Sequence, residues 1–194
     1  MGGEDWLGDA VSFYRGLGFF SAFPDLSDSE LADRLVAEHS EEWDEPLPPP
    51  VSLPPLADIL VMTKDQERTL WLDLECDALP GNDVYAETVA KLGAISAGAF
   101  GPTNIEESWT EDGATVTFEF GGTRHELNTH SRGDWFDAAL IARVNTVLGD
   151  SPRRFHVLTL GDQTIVIVAL TDEERSALGR RGVDARPMTM EVAG

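Results

Sequence analysis

Four histidines, one cysteine and a short run of carboxylates are the places where chemistry would have to start in this 194-residue chain. The histidines are His39, His125, His130 and His156. His130, Ser131 and Asp134 carry the residue types of a hydrolytic triad, and His125 lies a few positions upstream. Residues so close in sequence rarely meet in triad geometry, because the three roles need side chains converging from different directions. A hydrolase or metal-dependent enzyme with a site near His125, His130 and Asp134 is therefore the alternative reading, and solvated loop residues and caps account for the same positions. There is no HExxH, no GxSxG, no Walker loop, no paired CxxC and no GxGxxG after a strand. No catalytic residue and no cofactor is assigned. Cys76 sits between Glu75 and Asp77, whose negative charges raise a thiol's pKa, the wrong direction for a nucleophile. It reads as a small buried hydrophobe.

The carboxylates are the stronger signal. Asp73, Glu75, Asp77, Asn82 and Asp83 offer oxygen ligands of the kind that suit Ca²⁺ or Mg²⁺. Yet Leu72 and Leu74 lie between them and demand burial, and the glycine and terminal glutamate of an EF-hand loop are missing, so no metal site is assigned. Leu70, Leu72, Leu74 and Cys76 alternate with Trp71, Asp73, Glu75 and Asp77. That period of two predicts a half-buried strand with one apolar face and one bearing a tryptophan and three carboxylates. Alternate side chains on a strand sit roughly 6.7 Å apart, so neighbouring carboxylates repel by about 0.6 kcal/mol even at water's dielectric constant. A basic partner or a cation would relieve that repulsion; water would also screen it.

The whole chain is acidic, with 35 Asp and Glu against 14 Lys and Arg and a net charge of −21. Such a surface repels nucleic acid and anionic lipid and attracts basic proteins. The charge is uneven. Residues 1–112 hold 24 acidic against 5 basic side chains, a net of −19, while residues 113–194 hold 11 against 9, a net of −2. Salt adaptation would coat the whole surface, and so competes poorly with a localised acidic face. No apolar run approaches the length of about 20 residues that crosses a bilayer. The N-terminus, with Glu4 and Asp5, is acidic where a secretory signal is basic, and the single cysteine can form no internal disulfide. Together these predict a cytoplasmic protein with no membrane or nucleic-acid partner; its oligomeric state is open.

Around that strand the spacing predicts the following frame. An amphipathic helix covers 4–18 with Trp6, Leu7, Ala10, Val11, Phe13, Tyr14 and Leu17 at helical spacing. Ser27 to Glu30 forms a capping box opening a helix that stops near His39. The acidic run 41–45 and the prolines at 46, 48, 49 and 50 predict a stiff connector. Leu56 to Met62 is short and apolar enough for a buried strand, making a hairpin with the acidic strand. Asn82 or Asp83 caps a helix running to Ile95. Three meander strands follow, 104–110, 114–120 and 123–128, the last turn being Gly121-Gly122, which supplies the positive φ of a type I′ hairpin. Gly133-Asp134 caps a helix through Trp135, Phe136 and on to Leu148. Runs 155–160 and 164–170 make another hairpin, the second apolar on both faces and hence central. Thr171 to Glu174 is a second capping box.

The expected architecture is α+β: a mostly antiparallel sheet of about seven strands built from hairpins, with about five helices packed on it. It forms a single domain over 1–194, with a helical part over 1–45, a proline-rich connector over 46–55, a core over 56–180 and a poorly ordered tail over 181–194.

Aromatics interleave with the acidic stretch. Trp43, Trp71, Tyr85 and Trp109 are anchors of the kind that give affinity, while Asp73, Glu75, Asp77 and Asp83 would steer a basic partner. The succession Leu31-Ala32, Trp43, Pro55-Leu56-Ala57-Asp58, Asp73-x-Glu75-x-Asp77, Pro80-Gly81-Asn82 and Tyr85 resembles a set of uncharacterised small bacterial proteins. Ile95-Ser96, Gly98-Ala99-Phe100, Pro102, Glu107-Ser108-Trp109, Gly133-Asp134-Trp135, Arg154-Phe155 and Asp162-Gln163-Thr164 continue the likeness along nearly the whole chain. In size and acidity it is similar to immunity proteins of bacterial toxin systems. The resemblance implies a bacterial cytoplasmic protein without known catalysis and carries over no functional residue. The expectation is a non-enzymatic acidic protein that engages a basic partner, such as a toxin, through Trp71, Asp73, Glu75, Asp77, Asp83, Tyr85 and Trp109. A DNA mimic or a regulatory protein is the further alternative.

Overall fold

Ile165, Ile167 and Ala169 alternate with Val166, Val168 and Leu170, so a strand made from this run has two apolar faces and needs cover on both. The computed structural model, which describes residues 5–43, 54–130, 133–161 and 163–188, supplies it. In chain order the elements are α1 (Asp5–Gly16), α2 (Asp28–Trp43), α3 (Pro54–Thr63), β1 (Thr69–Asp73), α4 (Val84–Ile95), β2 (Thr103–Thr110) and β3 (Gly113–Phe120). There follow β4 (Thr123–Asn128), α5 (Ala139–Val147), β5 (Arg154–Thr159), β6 (Thr164–Leu170), α6 (Asp172–Arg180) and β7 (Arg186–Pro187). The architecture is α+β with every strand pair antiparallel. Instead of one sheet there are two: a four-stranded sheet ordered β1-β6-β5-β7 and a three-stranded meander ordered β2-β3-β4.

β6 is the shared wall of two cores. Val166, Val168 and Leu170 join Leu158 and the apolar faces of α1, α2 and α3. Ile165, Ile167 and Ala169 join Phe155, Val157, α4, α5 and the inner face of the meander. Each fully buried Val, Leu or Ile contributes about 1.5–3 kcal/mol relative to exposure, so this strand dominates the packing of both layers. Arg68, almost fully buried, ties the layers together: it donates to the carbonyls of Gly18 (2.8 Å) and Ala169 (3.5 Å) and covers the Phe19 ring at 4.5 Å.

Both capping boxes form. Glu30 N–H donates to Ser27 Oγ and Ser27 N–H to Glu30 Oε2, and Thr171 and Glu174 do the same at α6. The meander strands lie where the spacing puts them, and Gly121 (φ 61°) and Gly122 (φ 76°) carry the positive φ the tight turn requires.

Four further expectations are corrected. Leu56 to Met62 is helical, within α3, and makes no hairpin with the acidic strand. Pro54 and Pro55 occupy its first turn, where a missing N–H costs nothing. Ala57, Asp58, Ile59, Val61 and Met62 are all buried, so a helix covered nearly all round imitated a buried strand. Its polar member Asp58 is met by Arg181 Nε, while Tyr14 Oη donates to the Asp58 carbonyl at 2.9 Å. α2 runs past His39 to Trp43. Trp135 and Phe136 precede α5, which starts at Ala139; Asp137, not Asp134, accepts from its first turn through the Ala139 N–H at 3.1 Å. In the tail, β7 pairs with β5 and Met188 is buried in a core, so 186–188 are structured. The acidic and proline-rich residues 44–53, with most of the expected connector, lie outside the described residues.

Candidate functional site

β1 is the edge of its sheet, hydrogen-bonded on one side to β6. The register sets Thr69, Trp71 and Asp73 opposite Val168, Val166 and Thr164, and Leu70 and Leu72 opposite Ile167 and Ile165. Opposed residues of an antiparallel pair share a face. Leu70, Leu72, Leu74 and Cys76 pack on the core beneath, while Trp71, Asp73, Glu75 and Asp77 are exposed, Trp71 at 40%. The alternation expected from the sequence is the alternation observed.

Past Asp73 the chain bends without losing its hydrogen bonds. Asp73 Oδ1 accepts from the Glu75 N–H at 2.9 Å. Phe136 N–H donates to the Leu74 carbonyl at 2.7 Å and Ala78 N–H to the Asp134 carbonyl at 3.0 Å, making an antiparallel bridge between Glu75 and Trp135. Trp135 is thus placed beside Glu75, itself 40% exposed. Asp77 (φ 52°), Gly81 (φ 94°) and Asp83 (φ 50°) then turn the chain into α4 through left-handed backbone, a region Asp tolerates better than bulkier residues. Leu79 is exposed in that turn, at 43%.

Four large hydrophobic residues are exposed among the described residues, Val36, Trp71, Leu79 and Trp135, and three of them belong to this ridge. Its carboxylates are equally bare. Arg15, Arg34 and Arg124 engage Asp28, Glu38 and Glu106, but no described Lys or Arg lies within ion-pair distance of Asp73, Glu75, Asp77 or Asp83. Burial, and then the Asp73 and Asp77 carboxylates, push the Cys76 thiol up, so it stays protonated.

Two expected contact residues are elsewhere. Tyr85 is 1% exposed, its ring 4.8 Å from Phe136 and its Oη accepting from the Asp137 N–H at 3.0 Å; burial pushes its phenol up. It is a core residue and touches nothing outside the protein. Trp109 is half-buried, 5.9 Å from the Tyr85 ring, with Nε1 donating to Glu107 Oε1 at 2.6 Å. The other Glu107 oxygen accepts from the Ala86 N–H at 2.8 Å. A carboxylate from β2 therefore satisfies the first turn of α4, whose own N-cap Asp83 makes no side-chain capping bond. Trp135 and Leu79 are the ridge residues that the sequence reading missed. Exposure of a lone apolar side chain leaves no periodic signal.

His125 stacks on Phe118 (5.5 Å between centroids, 27° between planes), with Nε2 3.3 Å from the Phe120 carbonyl. His130 contributes its N–H to Asp137 Oδ2 at 2.9 Å, and its exposed side chain has no hydrogen bond to His125 or Asp134. Ser131 lies outside the described residues. No group of three or more His, Cys, Asp or Glu able to hold a metal ion occurs among the described residues. Among them too, no helix is long and apolar enough to cross a membrane.

Comparison with protein families, with curated proteins and with solved structures finds no match. Fold and site alone define the molecule: an α+β protein of two antiparallel sheets whose edge strand carries an acidic ridge set with exposed tryptophans.

Proposed function

We propose that this is a non-enzymatic binding protein that engages a basic protein through the β1 ridge, in the role of an immunity protein that neutralises a bacterial toxin. One observation carries the reading. Trp71 and Asp73 on the edge strand and Glu75 and Asp77 just beyond it are exposed, with Trp135 beside Glu75 and no described Lys or Arg paired with the carboxylates. Exposed aromatic rings flanked by carboxylates suit a basic partner: the rings supply buried area, the carboxylates speed encounter and select for positive charge. Carboxylates along an open strand edge also discourage pairing with a second copy, which leaves the edge available to a different partner.

The contact set is Trp71, Asp73, Glu75, Asp77, Asp83, Leu79 and Trp135, with Tyr85 and Trp109 supporting it from within. The test is to mix the purified protein with the basic proteins encoded beside its gene and measure complex formation against salt. A complex that weakens steeply between about 0.05 and 0.5 M salt supports the proposal; no complex, or one indifferent to salt, removes it.

A further inference from the structure

The register of β1 fixes which of its backbone groups point away from the sheet. Leu74 N–H donates to the Gln163 carbonyl at 3.0 Å, one step past the Asp73–Thr164 pair. Hydrogen-bonded and non-hydrogen-bonded pairs alternate along an antiparallel ladder, so Leu70, Leu72 and Leu74 aim their N–H groups at β6. Thr69, Trp71 and Asp73 aim theirs at the opposite edge. The chain itself closes that edge at both ends: Thr69 N–H donates to the Asp65 carbonyl at 2.9 Å, and Glu75 N–H to Asp73 Oδ1 at 2.9 Å. Between these ends, no hydrogen bond among the described residues uses the outward backbone groups of Trp71 or Asp73. The two faces beside this gap differ. Leu70 and Leu72 are only half-buried, whereas Ile167 and Ile165 opposite them on β6 are 0% and 5% exposed. On the other face Trp71, Asp73 and Glu75 are exposed.

We propose that the partner contributes a strand: an extended segment of alternating basic and apolar residues that pairs with Trp71 and Asp73 along the open edge of β1. This rests on the reading of the ridge as a protein-binding surface and says how that surface is used. Main-chain hydrogen bonds to the two residues supply the attachment, and alternate side chains supply the choice of sequence. The segment's lysines or arginines fall beside Asp73 and Glu75, with Cβ atoms about 4.5–5.5 Å apart, where opposite charges stabilise a cross-strand pair. Its apolar residues complete the cover over Leu70 and Leu72. A second copy of this chain is the poorer occupant, because its own edge would bring carboxylates against Asp73 and Glu75.

The experiment titrates the whole protein with an acetylated, amidated peptide of alternating lysine and valine, about seven residues long, at about 0.05 M salt. The expected result is saturable binding with Kd below about 1 mM. Two backbone N-methylated versions are titrated beside it, one methylated at the lysines and one at the valines. Only one set of nitrogens faces β1 in an added strand, so one version should lose at least about tenfold in affinity while the other stays within about threefold. Amide exchange followed by NMR supplies a second readout. In the free protein Trp71 and Asp73 N–H should exchange fast and Leu72 N–H slowly, and saturating peptide should slow the first two by at least about tenfold. Slow exchange at Trp71 in the free protein would mean that another segment of the chain or a second copy already covers the edge, and would overturn the proposal. So would no saturation by the peptide at about 5 mM. Equal effects of the two methylations would overturn strand addition alone, since the salt-dependent complex with the basic partner tests the ridge by itself.

Discussion

Glu75 and Trp135 lie opposite each other in an antiparallel bridge, although 60 positions separate them and neither belongs to a regular strand. The bridge extends the acidic edge beyond the last residue of β1 and adds an aromatic ring to a face that would otherwise carry only charge after Trp71. Its hydrogen bonds, Phe136 N–H to Leu74 and Ala78 N–H to Asp134, use backbone alone, so the side chains of both residues are left to face outward.

It follows that W135A changes binding and not folding. Truncating an exposed aromatic anchor at the centre of an interface costs roughly 2 kcal/mol or more of affinity, while an exposed ring contributes within about 0.5 kcal/mol to stability. Affinity for the basic partner and urea midpoints, measured on the same preparation, check this. A large fall in midpoint would make Trp135 a structural residue.

Glu107 joins β2 to the start of α4. Its two oxygens accept from Ala86 N–H and Trp109 Nε1, so E107A leaves two donors without partners in a half-buried place. The expected loss is about 1–3 kcal/mol by urea denaturation, with D83A, which removes no capping bond, costing less than about 0.5 kcal/mol.

These two residues also show where sequence reasoning stops. Period-two alternation at 70–77, both capping boxes, the Gly121-Gly122 turn and the doubly apolar β6 are local patterns, and each is visible in a few consecutive residues. Over α3, burial on nearly all sides erases the periodicity that separates helix from strand. The Glu107 cap and the Glu75–Trp135 bridge join residues about 20 and 60 positions apart, and a single chain carries no mark of such pairings. Tyr85 looked like an interface anchor for the same reason: an aromatic beside acidic residues reads alike whether it turns outward or, as here, inward toward Asp137.

His156 gives the protein a pH dependence. It is 3% exposed on β5, with Nδ1 2.9 Å from the Arg154 carbonyl. Burial is the first cause holding its pKa below the usual value of 6.5; the Arg154 carbonyl raises it, Arg175 lowers it and Asp172 raises it. Below pH 6.5 the unfolded chain binds a proton that the folded one refuses, so stability falls as pH drops from about 6.5 toward the depressed folded value. Above 6.5 this group contributes no slope. Urea midpoints of the protein and of H156Q between about pH 7 and 5 should diverge, the variant showing the shallower decline. Parallel curves would mean that other groups set the acid response.

Replacing the three ridge carboxylates removes repulsion that no described Lys or Arg relieves. D73N/E75Q/D77N should therefore fold as well as the parent or melt slightly higher, since neighbouring carboxylates each cost a few tenths of a kcal/mol (about 0.6 at water's dielectric constant). A drop of several degrees in Tm would show that these side chains hold the fold.

The most direct test of the account is the association rate of the parent and of this triple variant with the basic partner, followed by stopped flow across about 0.05–0.5 M salt. Steering by the ridge predicts a parent rate that falls steeply with salt, and a variant rate about tenfold lower at the lowest salt with a flattened slope. Identical rates and slopes for the two proteins would contradict it.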